Sequence, residues 1–177
     1  MEEKESQARA LLDKTNRQFN ECNALYHAAA QRCGLSDAAF WTLYALVTSC
    51  EPLTQNRIAA DWGIPKQTLN SAVAAMVKKG LLALCPGKGA HSGKIVTLTV
   101  EGRALAERTV VPVIAAEEKA IRAFGLASAE EMHRLAQRHL ECLQREFETI
   151  SAFPLRGEGG RGPARGRMRG EPAGISL

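Results

Sequence analysis

The chain has 177 residues, of which 45% are hydrophobic and 5% aromatic, and it carries a formal net charge of +4. This length suits one domain, or one domain with a tail, and the composition favours a helical core of aliphatic side chains. From the charged start MEEKESQARA we expect no secretory signal, and no apolar run is long enough to span a membrane, so we expect a cytoplasmic protein without membrane contact.

The cysteines exclude a disulfide framework. Their number is odd, their spacings are wide, and no CxxC pair occurs among Cys22, Cys33, Cys50, Cys85 and Cys142. In a cytosolic protein this pattern indicates reduced thiols.

The positive charge is concentrated in the centre of the chain. Residues 54–103 hold seven basic and two acidic side chains, whereas residues 1–53 and 104–153 each have a net charge of −2. A basic centre between acidic flanks predicts that the central segment meets a polyanion.

Two helices are expected before this basic segment. Apolar residues recur with a period near 3.6 over residues 8–33, which predicts one long amphipathic helix that Gly34 ends. Ser36 is a suitable N-cap for the second helix, DAAFWTLYALVTS. That helix is apolar on most sides, so we expect it at the centre of the core.

The basic segment, roughly residues 54–100, predicts a winged helix-turn-helix. Thr54 caps the short helix QNRIAADW, Gly63 provides a turn, and Pro65 stands where the helix KQTLNSAVAAMVKK can begin. The segments LLALC and KIVTLTV then predict two β-strands joined by the loop PGKGAHSG. Helix, turn, helix and hairpin follow in the order that defines this fold.

Two further helices are expected after the hairpin. The first runs from Glu101 to about Phe124, with Pro112 expected to kink it, and the capping box Ser128 to Glu131 is expected to begin the second. An apolar stripe marks that last helix at Met132, Leu135, Ala136, His139, Leu140, Leu143, Phe147 and Ile150.

The predicted fold class is therefore mainly α with a small β-hairpin. We expect dimerisation helices at residues 1–35 and 103–153, a DNA-binding lobe at residues 36–102, and a disordered tail rich in Arg and Gly at residues 154–177. The tail either adds non-specific contacts to DNA or is inert.

The helix from Lys66 to Lys79 has the properties of a helix that contacts bases in the major groove. Its outward stripe carries Gln67 and Asn70, whose amides can contact adenine edges, and Ala74, which can touch a thymine methyl group. The complete set of predicted DNA contacts is Thr54, Gln55, Lys66, Gln67, Thr68, Asn70, Ser71, Ala74, Lys78, Lys88, His91 and Lys94. The alternative is an ordinary solvated helix face.

The stretches LTQNRIAADWGIPKQTLNSAVAAMVKKGLL and IVTLTVEGRALAE resemble the MarR family of bacterial regulators. The resemblance covers roughly residues 10–150. It implies a homodimer on a pseudo-palindromic operator and repression that a small molecule or an oxidant relieves. The wing departs from the family pattern, because Ala90, His91 and Ser92 replace the usual aspartate and arginine.

Two modes of control are open. An aromatic or amphipathic effector of unknown identity can bind near Tyr26, His27 and Tyr44, whose polar groups need partners, whereas Phe40 and Trp41 are expected in the core. Alternatively, Cys22 in the run CNALY is similar to the sensor cysteine of the family's hydroperoxide-responsive branch, which implies a redox role.

Other classes of function find less support in the sequence. His133, His139 and Cys142 do not form a dense ligand set, so we predict neither a metal nor a cofactor. The motifs GxSxG and HExxH and a phosphate-binding P-loop are absent, so we predict no enzyme activity. The remaining alternative is a winged-helix protein-interaction module that does not bind DNA.

Overall fold

A computed structural model describes residues 2–87 and 93–150 of the chain. Its elements, in chain order, are α1 (Glu2–Arg32), α2 (Asp37–Thr48), β1 (Leu53–Thr54), α3 (Gln55–Asp61), α4 (Lys66–Lys78), β2 (Leu82–Cys85), β3 (Ile95–Leu98), α5 (Val100–Phe124) and α6 (Leu126–Thr149). The predicted fold class is confirmed, since the chain is mainly helical with a small antiparallel sheet. In the described part of the chain, no helix has the length and apolar character needed to cross a membrane.

The first two helices meet at the predicted turn. Gly34 has a φ of +67°, a left-handed conformation that glycine adopts without steric cost, and it ends α1. Ser36 then caps α2, because its hydroxyl oxygen accepts the backbone N–H of Ala39 at 3.3 Å. Phe40 and Leu43 of α2 are completely buried, which places this helix at the centre of the core as expected.

The helix-turn-helix also follows its sequence signals. The Thr54 hydroxyl accepts the backbone N–H of Arg57 at 3.2 Å and caps α3. After α3, Gly63 has a φ of +58°, and the N–H of Ile64 donates to the carbonyl of Ala59 at 3.0 Å. Pro65 occupies the N-cap position of α4, one residue before the first helical position.

The sheet has one strand more than predicted. Its order is β1-β3-β2, with Leu53 opposite Val96 in one antiparallel pair and Leu84 opposite Val96 in the other. A strand of two residues, such as β1, is too short to show the alternation that identifies a strand in a sequence. The tip of the wing, residues 88–92, lies outside the described residues.

Thr99 and Gly102 join the end of the wing to the start of α5. The Thr99 hydroxyl donates to the Gly80 carbonyl at 2.7 Å and accepts the backbone N–H of Gly102 at 3.0 Å. The backbone N–H of Thr99 donates to the Leu81 carbonyl at 3.1 Å. These bonds fix the chain where β3 ends, next to the segment that leaves α4.

The described chain divides into two compact units, with the boundary between Ala116 and Glu117 inside α5. The first unit contains the hydrophobic core, to which the end of α1, the helices α2, α3 and α4, the sheet and the first half of α5 contribute. The second unit contains the end of α5 and all of α6, and α6 has no buried residue. The predicted tail, residues 154–177, lies outside the described residues.

The predicted start of the last helix is wrong. We expected a capping box from Ser128 to Glu131, but α6 begins at Leu126 after Gly125, whose φ is +96°. Glycine adopts this positive φ without steric cost, so the new helix begins directly after Gly125 and before Ser128. Glu131 instead forms a bidentate ion pair with Arg134, whose Nη2 and Nε donate to the two carboxylate oxygens at 2.6 Å and 2.7 Å. These hydrogen bonds lower the pKa of the Glu131 carboxyl.

Candidate nucleic-acid interface

The two sides of α4 differ in burial as the sequence predicts. Leu69, Val73 and Met76 are buried against the core and hold the helix by its apolar side. The outward residues are all exposed: Lys66, Gln67, Thr68, Asn70, Ser71, Ala74 and Lys78. The helix therefore presents a continuous polar surface to solvent.

Most of the polar groups on this surface are free to bind a ligand. Among the described residues, the Gln67 and Asn70 amides have no hydrogen-bond partner, and Lys66 and Lys78 belong to no ion pair. The Ser71 hydroxyl donates to the carbonyl of Gln67 at 2.9 Å, so its oxygen remains available as an acceptor. The two amides can each donate and accept, which is the pattern needed to contact an adenine edge.

The charge near this surface is predominantly positive. Lys66 and Lys78 stand at the two ends of α4, and Lys94 is exposed just before β3. The nearby acidic group Asp61 is neutralised by Arg57, whose Nε lies 2.6 Å from the carboxylate. Uncompensated lysines beside free amides suit a polyanion that also offers base edges.

The other predicted contacts have different surroundings. Thr54 and Gln55 are half-buried at the start of α3, and the Thr54 hydroxyl already serves as the helix cap. Lys88 and His91 lie outside the described residues, as do Ala90 and Ser92, so the DNA contacts predicted for the wing tip remain predictions.

The three residues predicted for an effector pocket lie on α1 and α2. The Nδ1 atom of His27 is 3.0 Å from both carboxylate oxygens of Asp37. The Tyr26 ring packs on Trp41 with 4.8 Å between centroids, and the Tyr44 ring is 5.1 Å from that of Trp62. The two tyrosines thus belong to a cluster of aromatic rings, and these pairings join residues too distant in the chain to be predicted from local patterns.

A separate open cleft of about 450 Å³ lies elsewhere in the first unit. Its floor includes Leu53 and Val96, and the charged groups Glu51, Arg103 and Glu107 contribute to its lining. None of the three residues predicted for the effector pocket lines this cleft. Its walls come from two separate stretches of the sequence, α2 with β1 and β3 with α5, so no local pattern could have indicated it.

The cysteines and histidines do not converge in the described residues. Cys22 is half-buried on α1, while Cys142 is exposed on α6, where its sulfur lies 3.3 Å from Nη2 of Arg145. Within residues 2–87 and 93–150, no group of three or more His, Cys, Asp or Glu side chains could hold a metal ion.

Large apolar side chains are exposed on both long terminal helices. On α1, Leu11, Leu12, Phe19 and Leu25 are at least half exposed, and on α6 the exposed set is Leu126, Met132, Leu135, Leu140 and Phe147. Several large apolar side chains exposed along one helix usually mark a protein–protein contact.

Comparisons with known proteins agree with this architecture. Residues 34–91, which contain the helix-turn-helix, match the model of the MarR family. No curated protein matches the sequence.

Solved structures show the same fold. NMB1585, a MarR family regulator from Neisseria meningitidis, is 23% identical, with a TM-score of 0.67 over 78% of this chain and 96% of that one. CouR from Rhodococcus jostii, solved with p-coumaroyl-CoA, is 20% identical, with a TM-score of 0.57 over 69% and 85% of the two chains. MarR from Staphylococcus aureus, solved with salicylate and kanamycin, is 16% identical, with a TM-score of 0.58 over 78% and 93%.

Proposed function

We propose that this chain, whose residues 34–91 match the model of the MarR family, is a sequence-specific DNA-binding transcription regulator. The observation that carries the proposal is the surface of α4. Its apolar side is held by the core, while its free amides and unpaired lysines face solvent. A helix in the major groove requires this arrangement.

Each class of side chain on α4 has a distinct role in this proposal. Gln67 and Asn70 contact base edges, and Ala74 meets a thymine methyl group. Lys66 and Lys78 bind phosphates and set the position of the helix along the groove without adding sequence information. Lys94 extends the phosphate contacts toward the wing.

The proposed regulator acts as a homodimer in the cytoplasm. The exposed apolar stripes of α1 and α6 favour association with a second copy, because a monomer would leave them in water. Two-fold symmetry then places the two copies of α4, the proposed recognition helix, about 34 Å apart. This distance is one helical turn of DNA, so the two helices fit a pseudo-palindromic operator.

Control by a small-molecule effector completes the proposal. Two structural neighbours were solved with small molecules, p-coumaroyl-CoA in one and salicylate and kanamycin in the other. In this chain, Tyr26, His27 and Tyr44 are the residues proposed to meet the effector. A ligand that binds the DNA-free state more tightly shifts the population toward that state and relieves repression.

A gel shift with the DNA upstream of the gene tests the proposal. We expect the wild-type protein to retard this DNA, and Asn70→Ala to weaken binding by about 1–3 kcal/mol if Asn70 makes one bidentate base contact. Asn20→Ala is the matched control, because it removes an exposed amide from the polar side of α1. No retardation at low salt would favour the protein-interaction module instead.

A further inference from the structure

Five aromatic rings form one connected cluster across three helices. Its members are Tyr26 of α1, Phe40, Trp41 and Tyr44 of α2, and Trp62 at the end of α3. Trp41 is the hub of this aromatic cluster, with ring centroids 4.8 Å from Tyr26, 5.3 Å from Phe40 and 5.4 Å from Tyr44. Rings at such distances gain attraction beyond the burial of their surface.

Trp62 connects the aromatic cluster to the helix-turn-helix. Its indole stacks on that of Trp41 at 4.8 Å with 23° between the planes, and it meets the Tyr44 ring edge-on at 5.1 Å. Trp62 is the C-cap of α3, and α4 begins four residues later at Lys66. Among the five rings of the cluster, Trp62 is therefore the nearest in the sequence to the first residue of α4.

The core holds the two ends of α4 differently. Leu69, Val73 and Met76 bury its middle and C-terminal part, whereas residues 65–68 are all exposed. Before them, the backbone turns through Gly63 at a φ of +58°, and the half-buried Ile64 packs against the core. The direction in which the first turn of α4 leaves α3 therefore depends on the packing of the two side chains that flank Gly63, those of Trp62 and Ile64.

We propose that Trp62 is a positioning residue for the recognition helix α4, fixing the N-terminal turn that carries Lys66 and Gln67 by stacking on Trp41. This inference rests on the proposed DNA-binding function. The same stack runs through Trp41 to Tyr26, so a displacement of Tyr26 on α1 reaches the turn before α4 through two ring contacts. The aromatic cluster thereby links the proposed effector residues to the helix that contacts DNA.

The test compares three substitutions of Trp62 on two DNA duplexes. One duplex is selected from a random pool by the wild-type protein, and the other has a scrambled sequence. We expect Trp62→Ala and Trp62→Leu to bind the selected duplex about tenfold more weakly, which is the size of effect that a lost base contact has. Both variants should bind the scrambled duplex as the wild type does, because that binding depends on contacts to phosphates. Trp62→Phe retains a flat ring and should restore most of the selective binding.

Trp62→Leu keeps the test valid where Trp62→Ala fails to fold, because leucine still fills apolar volume. Circular dichroism supplies a second readout, since Trp41 and Trp62 are the two tryptophans of the chain. The coupled signal of their stacked indoles should disappear in all three variants, while the helical signal stays.

Three results would overturn the inference. They are wild-type selectivity in Trp62→Leu, an equal loss on both duplexes, and failure of Trp62→Phe to restore selectivity. If the wild-type protein binds neither duplex, it is the proposed function that fails.

Discussion

At the scale of single residues, Gly102 shows why the segment after the wing requires glycine. A Cβ atom built at this position would lie 1.9 Å from the carbonyl oxygen of Leu81 and 2.9 Å from its carbonyl carbon. Both are backbone atoms, so neither can move aside without disturbing the bond between Thr99 and Leu81. The motif TVEG therefore ends in glycine because the backbone at Gly102 lies very close to the backbone at Leu81.

We therefore expect Gly102→Ala to destabilise the protein by about 1–3 kcal/mol, the usual cost of forcing extra volume into a packed site. Gly93→Ala is the matched control, because its Cβ would meet the nearest atom, Thr54 Cγ2, at an ordinary 3.7 Å. Urea unfolding of both variants measures the difference. Equal stability of the two variants would contradict the close approach at Gly102.

At the scale of elements, the two sides of α4 have different roles, since one side packs in the core and the other is the proposed DNA-binding surface. Leu69 is completely buried and Asn70, the next residue, is exposed. We expect Leu69→Ala to lower the free energy of unfolding by about 2–5 kcal/mol, because it leaves a cavity in the core. Asn70→Ala should stay within about 0.5 kcal/mol of the wild type, as surface substitutions usually do.

Thermal or urea unfolding checks this pair of variants. A large loss of stability in Asn70→Ala would show that the polar side of α4 packs against protein. In that case it could not be the surface that contacts DNA.

Elements with a clear periodicity or cap were predictable from the sequence. The stripe Leu69, Val73 and Met76 fixed which side of α4 is buried, and the caps Ser36 and Thr54 fixed where α2 and α3 begin. Such signals come from residues within one or two helical turns of each other.

Features that depend on distant residues were not predictable. The strand β1 has two residues, and it is a strand because it pairs with β3, with Leu53 opposite Val96 and Thr54 opposite Ile95. The stack of Trp41 on Trp62 joins two helices, and the cleft near Arg103 joins four elements. At the start of α6, the left-handed Gly125 overrode a capping signal that was locally reasonable.

At the scale of the whole molecule, the exposed stripe of α6 predicts assembly. Leu135 is 49% exposed on this stripe, and α6 buries none of its residues in the single chain. We expect Leu135→Glu to convert the proposed dimer to a monomer with unchanged helical content, because it places a charge in an apolar contact. Operator affinity should fall with it, since each monomer carries one recognition helix.

Glu141→Lys is the matched control for this variant. Glu141 is exposed on the opposite, polar side of α6, so the substitution should leave the dimer intact. Light scattering after size-exclusion chromatography measures the mass of each variant. A wild-type protein that is already monomeric would contradict the proposed assembly.

The most direct test of the central claim, that α4 presents a surface for DNA bases in a symmetric pair, is selection of bound duplexes from a random pool. We predict enrichment of a pseudo-palindrome whose half-sites lie about 10 base pairs apart, centre to centre. We also predict that Gln67→Ala and Asn70→Ala change which bases are enriched within each half-site. A pool that stays random after repeated selection by the wild-type protein would contradict the claim.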